Sequence, residues 1–302
     1  VIDIKSGKVK KHYRSGPGPN DLKSDFIVTL IQSKEGAIYA GTSFGVFRYN
    51  AGNDNFDIIK ALPQRFYSCL LEDDEGNIWA GTHGDGVWLY NPKTGASRHY
   101  INEAGNSNSL SGNFVNALHE DDQKTIWMAT EGGGLCRLDK GLNHFTRYTT
   151  AEGLPSNFVF KILEDSKHNL WITTSKGLVN MHALTRNFTV YTKANGLLND
   201  QFNYNSGYKD AEGTLYFGSV RGMITFNPAS FHQSIYSPKV FLTGFQVNNK
   251  EMQIGEEQTL KNSILYADAI TLPYNQSTFS IDFAALSFTS PERTEYMYKM
   301  EG

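Results

Sequence analysis

The sequence has little net charge, few cysteines and no long hydrophobic run. Its 302 residues carry a formal net charge of -3, which gives no electrostatic reason to expect a nucleic-acid partner or a basic membrane-binding patch. Cys69 and Cys136 lie far apart in apolar-alternating segments, so they predict buried thiols, not a disulfide framework or a CxxC metal site. No apolar run approaches the roughly 18 residues of a membrane-spanning helix, and the N-terminus lacks a signal-peptide pattern.

One stretch, GNIWAGTHGDGVWLYNPKTG at residues 76–95, recurs along the chain in altered form. Its aromatic position recurs every 40 to 48 residues, at Tyr39, Trp79, Trp127, Trp171 and Tyr216. A second marker, a Leu followed four residues later by Phe, has the same period, at Leu22 and Phe26, Leu62 and Phe66, Leu110 and Phe114, Leu154 and Phe158, and Leu198 and Phe202. Two markers with one period indicate five structural repeats.

Each repeat predicts four short antiparallel strands. In the third repeat, runs rich in β-branched and aromatic residues occur at 114–119, 126–130, 135–138 and 145–148, and Gly, Asn, Asp and Lys clusters separate them. Units of about 40–48 residues with four strands are typical of β-propeller blades. The fold class is therefore all-β. The repeated tryptophan is expected to pack between blades, with its indole N–H bound to one partner.

The repeat ends after Pro228, which predicts two domains. Residues 1–230 are expected to hold a half-blade and five repeats, as part of a larger propeller. Residues 237–302 contain alternating runs at 237–252 and 277–290 and predict the start of an immunoglobulin-like β-sandwich. We expect this sandwich to be truncated, because little sequence remains for closing strands.

Acidic clusters follow the first strand of three repeats, at EDDEGN (72–77), EDDQKT (120–125) and LEDSKHN (163–169). Asp and Asn cap their own backbone in turns, and none of the clusters has EF-hand spacing, so we interpret them as turns. His83 and Asp85 could supply two metal ligands, but a zinc site needs three or four. No metal, cofactor or catalytic residue is predicted.

Topology gives the sharper hypothesis for a binding site. In a four-stranded blade, the turn between the second and third strands and the loop before the first strand open on the same face, because antiparallel strands alternate in direction. These positions vary between repeats while the framework stays fixed, as in loop-borne binding sites. The candidate ligand-binding residues are Phe44, His83, Asp85, Glu131, Lys176 and Arg221 in the turns, and Arg65, Asn113, Asn157 and Gln201 before the first strands.

These motifs resemble the two-component regulator propeller repeat, and the segment LPYNQSTFSIDFAALSFTSPERTEYMYKMEG resembles the triple-tyrosine (Y_Y_Y) domain that follows such propellers. The arrangement is similar to the periplasmic sensor region of Bacteroides-type hybrid two-component histidine kinases. The resemblance implies an oligosaccharide ligand from complex glycans, homodimeric signalling through the Y_Y_Y domain and regulation of transcription. It also implies a periplasmic location, with membrane attachment only through a segment outside this chain. This region would not be an enzyme.

Two other functions remain open from the residues themselves. A polysaccharide lyase or glycosidase could act at the channel mouth, with His83 and Glu131 as acid or base. Alternatively, the propeller could serve only as a platform for protein partners.

Overall fold

The computed structural model describes residues 1–18, 21–141, 143–230, 239–255, 260, 262–274, 276, 278–286 and 296–299. The chain divides into two compact units, Val1–Phe231 and His232–Gly302. Within the described residues, the helices are short 3-10 turns at Thr150–Glu152, Lys193–Asn195, Pro228–Ser230 and Ile264–Tyr266. No helix among these residues is long and apolar enough to cross a membrane.

In its described residues, the first unit contains five antiparallel sheets that follow one another along the chain. Blade 1 contains β1 (Ile27–Gln32), β2 (Ile38–Thr42), β3 (Val46–Asn50) and β4 (Asn55–Ile58). Blade 2 contains β5 (Tyr67–Glu72), β6 (Ile78–Thr82), β7 (Val87–Tyr90) and β8 (Ser97–Tyr100). Blade 3 contains β9 (Val115–Glu120), β10 (Ile126–Thr130), β11 (Gly134–Asp139) and β12 (His144–Tyr148). Blade 4 contains β13 (Val159–Glu164), β14 (Leu170–Thr174), β15 (Gly177–Met181) and β16 (Phe188–Tyr191). Blade 5 contains, in the described residues, β17 (Phe202–Lys209), β18 (Leu215–Ser219) and β19 (Gly222–Phe226).

The sheets are arranged as propeller blades, which confirms the predicted fold class. The first strands of successive blades, β1, β5, β9, β13 and β17, lie side by side and form the inner layer. Side chains join them: Asn116 Nδ2 in blade 3 donates to the Val159 carbonyl of blade 4 at 2.9 Å. The predicted strands of the third repeat agree with β9 to β12 to within one residue at each end.

The hydrophobic core lies between successive blades. Trp79 of blade 2 belongs to a cluster with Val115 and Met128 of blade 3, and Trp127 of blade 3 belongs to a cluster with Ile172 of blade 4. Both tryptophans are at most 1% exposed. Each sheet therefore buries its apolar faces against its neighbours, as the repeat predicts. Both cysteines are buried free thiols, as predicted.

The acidic clusters form turns, as predicted, and they also hold the tryptophans. Asp121 Oδ1 accepts hydrogen bonds from the backbone N–H groups of Gln123 and Thr125, at 3.0 and 2.9 Å. Its Oδ2 accepts the Trp127 indole N–H at 2.8 Å. The same indole contact joins Trp79 to Asp73 at 2.8 Å and Trp171 to Asp165 at 2.9 Å. One buried carboxylate thus fixes both the turn and the interblade tryptophan.

The fifth repeat differs from its predicted register by one residue. The Leu154 N–H donates to the Thr149 carbonyl at 3.1 Å, and the equivalent bond in blade 5 runs from Leu197 to Thr192 at 3.3 Å. Leu197 is half-buried, whereas Leu198 is 51% exposed. The marker leucine of this repeat is therefore Leu197, and the prediction that Leu198 and Phe202 form the marker of the fifth repeat is wrong. At the N-terminus, Ile2 and Val9 form an isolated bridge, and the predicted half-blade stays a prediction.

The second unit contains one antiparallel sheet in the described residues, with strand order β21–β20–β22. Its strands are β20 (Val240–Val247), β21 (Lys250–Glu251) and β22 (Phe279–Ala285). Phe245, Val247 and Leu260 form its small core. Tyr296 and Tyr298 do not lie in a strand, although the Tyr296 hydroxyl accepts the Ala285 N–H at 2.9 Å. The sandwich stays a prediction, because residues 256–259 and 287–295 lie outside the described part.

Candidate functional site

The turns between the second and third strands are built on a buried hydroxyl. Thr82 Oγ1, at the end of β6, donates to the Gly86 carbonyl at 2.8 Å and accepts the Asp85 N–H at 2.9 Å. Equivalent hydroxyl-to-carbonyl bonds run from Thr42 to Gly45, Thr130 to Gly134, Thr174 to Gly177 and Ser219 to Gly222. The shared Thr and Gly residues are therefore structural, and the residues between them form the surface.

The first residue of each turn is tied to the loop before the inner strand of the same blade. The His83 N–H donates to the Phe66 carbonyl at 3.0 Å, and the Glu131 N–H donates to the Phe114 carbonyl at 2.9 Å. Equivalent bonds join Ser43 to Phe26, Ser175 to Phe158 and Val220 to Gln201. The two loop sets predicted to share a face are therefore in contact. Gln201 occupies the position that phenylalanine has in the other blades.

The turns are also tied to the next blade. The Asn113 carbonyl of blade 3 accepts the N–H groups of Gly84 and Gly86 in blade 2, at 3.1 and 2.9 Å. The Asn157 carbonyl of blade 4 accepts those of Gly132 and Gly134 in the same way, at 3.0 and 2.9 Å. We call these bonds the interblade links. They join each of these turns to the blade that follows it.

Two candidate amides have a structural use as well. Asn113 Oδ1 accepts the Asn102 N–H at 2.7 Å, and Asn157 Oδ1 accepts the Thr150 N–H at 2.9 Å. These bonds fold the loop that precedes each inner strand. The oxygens of Asn113 and Asn157 are therefore engaged within the loops that carry them.

A row of aromatic rings follows the mouth of the inner layer. We call Phe26, Phe66, His83 and Phe114 the aromatic rim. Consecutive ring centroids along this row are 6.0, 5.6 and 4.7 Å apart. Phe26 is 61% exposed and Phe114 is 43% exposed, and Phe158 of blade 4, in the same position, is also 43% exposed. Contiguous exposed apolar surface is unusual on a soluble protein and marks interaction sites.

An ion pair lies beside the rim in blade 2. Arg65 Nε is 3.2 Å from Asp85 Oδ2, and the Trp88 indole N–H donates to the same oxygen at 3.2 Å. The His99 ring stacks on Trp88 with centroids 4.0 Å apart, and its Nε2 is 2.7 Å from the Asp85 carbonyl oxygen. The structure thus brings the candidates Arg65 and Asp85 together, and Asp85 is held by its neighbours.

The remaining candidates lie along the same face in the other blades. Glu131 Oε1 is 3.5 Å from the hydroxyl of Tyr204, whose pKa is raised by burial and by this carboxylate. Phe44 is half-buried, and Lys176, Gln201 and Arg221 are exposed.

Polar side chains bridge the space inside the inner layer. Lys161 Nζ of β13 donates to Asn205 Oδ1 of β17 at 2.7 Å, and Asn205 Nδ2 is 3.4 Å from the Ser68 carbonyl of β5. Burial lowers the pKa of Lys161. The aromatic rim therefore stands at the entrance to a space that polar contacts cross.

Sequence reasoning missed the exposed phenylalanines. Phe26, Phe114 and Phe158 are exposed and Phe66 is half-buried. In the sequence they serve only as a repeat marker, although their place before the inner strand puts them on the predicted face. Tyr204, within β17, carried no marker at all. The useful signal is the alternation in blades 2 to 4, because the residue after the marker phenylalanine, Tyr67, Val115 or Val159, is buried there.

Comparison with known proteins identifies a known propeller repeat in three segments of the chain. Residues 61–84, 109–132 and 153–176 each match the two-component regulator propeller repeat. Each match covers an inner strand, its acidic turn, the second strand and the start of the turn on the candidate face. The chain therefore contains at least three repeats of this class.

A histidine kinase from Formosa agariphila is 29% identical to this chain, in an alignment that covers 97% of this chain and 22% of the kinase. Among solved structures, an extracellular domain described as belonging to a hybrid two-component system of B. thetaiotaomicron aligns with a TM-score of 0.58 and 19% identity. That alignment covers 85% of this chain and 47% of the other. Catalytically inactive virginiamycin B lyase from Staphylococcus aureus, in complex with quinupristin, aligns with a TM-score of 0.57 and 13% identity over 79% of this chain and 78% of the lyase. At these identities, the structural likenesses show the propeller fold alone.

Proposed function

We propose that this chain is part of the extracellular, periplasmic sensor region of a two-component histidine kinase, and that it binds an oligosaccharide at the aromatic rim. The matched repeats and the likeness to a histidine kinase over 97% of the chain support the sensor assignment. The described extracellular location of the B. thetaiotaomicron domain supports the location. The chain would act as a sensor and not as an enzyme.

The aromatic rim is the observation that carries the ligand proposal. Phe66 and Phe114 flank His83, with ring centroids 5.6 and 4.7 Å from it, and all three belong to the candidate face. An aromatic ring packs well against the apolar C–H face of a pyranose, which offers a flat surface with hydroxyl groups around its edge. A row of such rings suits a chain of sugars better than a single small molecule.

Polar groups around the rim would supply specificity. Glu131 can accept hydrogen bonds from sugar hydroxyls, and the exposed Lys176 and Arg221 can bind carboxylate or sulfate groups. Because Asp85 already neutralises Arg65 at 3.2 Å, Arg65 would contact a ligand less strongly than Lys176 or Arg221. A neutral oligosaccharide would therefore use the rim in blades 1 to 3, and an acidic one would also use blades 4 and 5.

Signal transmission would depend on ligand-induced rearrangement of a homodimer through the second unit. Binding can shift such an equilibrium only if the ligand has different affinities for the two arrangements. The interblade links offer a route between rim and scaffold, because they connect the ligand-facing turns of blades 2 and 3 to the following blade.

The test is calorimetric titration of the complete extracellular region with a panel of neutral and acidic oligosaccharides. Phe66→Ala and Phe114→Ala should each weaken binding roughly 2- to 12-fold, because an aromatic contact is worth about 0.5–1.5 kcal/mol. Leu184→Ala is the matched control, since Leu184 is 82% exposed and follows β15 on the opposite face. Equal weakening by all three variants, or no binding by any sugar of the panel, would contradict the proposal.

The same experiment separates the two other functions. Conversion of the sugar to product, lost in His83→Ala or Glu131→Ala, would identify a propeller enzyme. Tight binding of a protein partner without any sugar affinity would identify an interaction platform.

A further inference from the structure

A mixed cluster of histidine and carboxylate side chains joins blades 3 and 4 at their acidic turns. His168 Nδ1 is 2.8 Å from Glu164 Oε1 and 3.4 Å from Asp122 Oδ2. The three potential ligand atoms all lie within 4.8 Å of one another. Asp122 follows β9 and the other two residues end or follow β13, so the cluster spans the boundary between two blades. It lies on the face opposite the aromatic rim and is independent of the proposed function.

A second histidine orients the central carboxylate. His119 Nε2 is 3.1 Å from Glu164 Oε2, the oxygen that does not face His168. The Glu164 side chain is 12% exposed, whereas His168 and Asp122 are 53% and 42% exposed. Outer histidines or carboxylates that fix a ligand in this way are common around bound metals. The inner carboxylate is thus held in place, and the outer two groups leave a path from solvent.

The preceding blade boundary provides an internal comparison. There, Asp74 and Glu120 occupy the positions of Asp122 and Glu164, and Lys140 Nζ lies 2.9 Å from each of them. Lys124, which precedes the second strand as His168 does, has its Nζ 3.8 Å from Asp74. Lysine ammonium groups therefore neutralise the carboxylates between blades 2 and 3.

The boundary between blades 3 and 4 lacks both lysines. His168 replaces Lys124, and the two residues share the same left-handed backbone, with φ values of 63° and 65°. The strand register puts Ala183 in the position of Lys140, because Met181 pairs with Leu170 as Leu138 pairs with Ile126. At this boundary imidazoles therefore face the two carboxylates, whereas at the preceding boundary lysines neutralise the equivalent carboxylates. A bound cation would restore the missing positive charge.

We propose that Asp122, Glu164 and His168 bind a divalent transition-metal ion of the Zn²⁺ class, which fastens blade 3 to blade 4. One imidazole nitrogen and two carboxylate oxygens form a suitable donor set for such an ion, with water completing the coordination. In a tetrahedral site with metal–ligand bonds of about 2.0–2.1 Å, ligand atoms lie roughly 3.3 Å apart. The separations of 2.8 and 3.4 Å match this with small side-chain adjustments. Mg²⁺ and Ca²⁺ prefer all-oxygen sites with more ligands, so they should bind poorly.

The test uses the 302-residue chain after treatment with EDTA and removal of the chelator. Calorimetric titration with Zn²⁺ should show one saturable site, and Zn²⁺ should raise the thermal unfolding midpoint, whereas Mg²⁺ should do neither. Titration with Co²⁺ should produce the visible absorption bands of a low-symmetry N/O site. If the folded wild-type chain shows no saturable Zn²⁺ binding, or only nonspecific binding, the proposal fails at this stage.

His168→Lys is the decisive variant, because Lys124 shows that lysine fits this turn position. It should keep the metal-free unfolding midpoint at or above the wild-type value and weaken Zn²⁺ binding at least tenfold. Glu164→Gln should weaken it similarly, and His119→Gln should weaken it less. His144→Lys, at an exposed position on β12, controls for nonspecific binding by histidine and should leave the affinity unchanged. Unchanged Zn²⁺ affinity in His168→Lys, or equal losses in the His144 and His168 variants, would overturn the site.

Discussion

Replacing Asp121 by Asn should destabilise the propeller by about 2–4 kcal/mol. Asparagine keeps the oxygen that accepts the N–H groups of Gln123 and Thr125, but it puts an NH₂ group where Oδ2 accepts the Trp127 indole at 2.8 Å. Asp121 is 5% exposed and Trp127 is fully buried, so the indole N–H finds no water. Losing a hydrogen bond to a charged group costs about 1.5–3 kcal/mol, and an unsatisfied buried donor adds to this.

A double-mutant cycle isolates the indole contact. Trp127→Phe removes the N–H and some packing, so Asp121→Asn should cost about 1.5–3 kcal/mol less in that background than in the wild type. The assay is guanidinium unfolding followed by far-UV circular dichroism, with the m-value checked in each variant. Asp122→Asn, measured in EDTA, is the matched control in the same turn and should change stability by no more than about 0.5 kcal/mol. A coupling energy below about 0.5 kcal/mol would refute the role given to the carboxylate.

Two further predictions concern a turn glycine and a buried thiol. Gly86→Ala should destabilise the fold by about 2 kcal/mol more than Gly95→Ala in the same unfolding assay. Both glycines have positive φ, but of the two only Gly86 would bring a Cβ against backbone, 2.2 Å from the Tyr100 carbonyl oxygen. Equal costs of the two substitutions would contradict this reason. Burial raises the pKa of Cys69 to about 12, above the ~8.5 of an unfolded thiol. Relative to Cys69→Ala, the wild type should therefore lose stability as pH rises from about 8.5 toward 12. Native Cys69 should also resist alkylation by iodoacetamide at pH 8.5. Alkylation at the rate of a free thiol would contradict the burial of this side chain.

Most of the fold could be predicted from the repeat. The third-repeat strand 126–130 coincides with β10, because β-branched and aromatic residues in a period fix strand and turn together. The marker predicts the fifth repeat one residue too late, because Leu198 has a phenylalanine four residues later, at Phe202, whereas the adjacent Leu197 has Gln201 there. Only packing distinguishes them, since Leu197 joins the blade 5 core while Leu198 is half exposed.

The candidate face could be predicted, but the use of individual side chains could not. Strand alternation places His83 and Glu131 beside the loops before the inner strands, as observed. It cannot show that Asn113 and Asn157 cap their own loops, because those bonds depend on how each loop folds. Nor could spacing pair His119 with Glu164, which lie one repeat apart and meet only because their blades are neighbours.

The interblade links have a consequence for ligand affinity. A free surface loop loses conformational entropy when it closes on a ligand, and this loss weakens binding. The turns that carry His83, Asp85 and Glu131 have their glycine N–H groups bound to the Asn113 and Asn157 carbonyls of the next blade. Their ordering therefore takes place when the blades assemble. A ligand that bound this face as proposed would meet a preorganised surface, so the free energy of its contacts would be available for affinity and for discrimination between similar molecules.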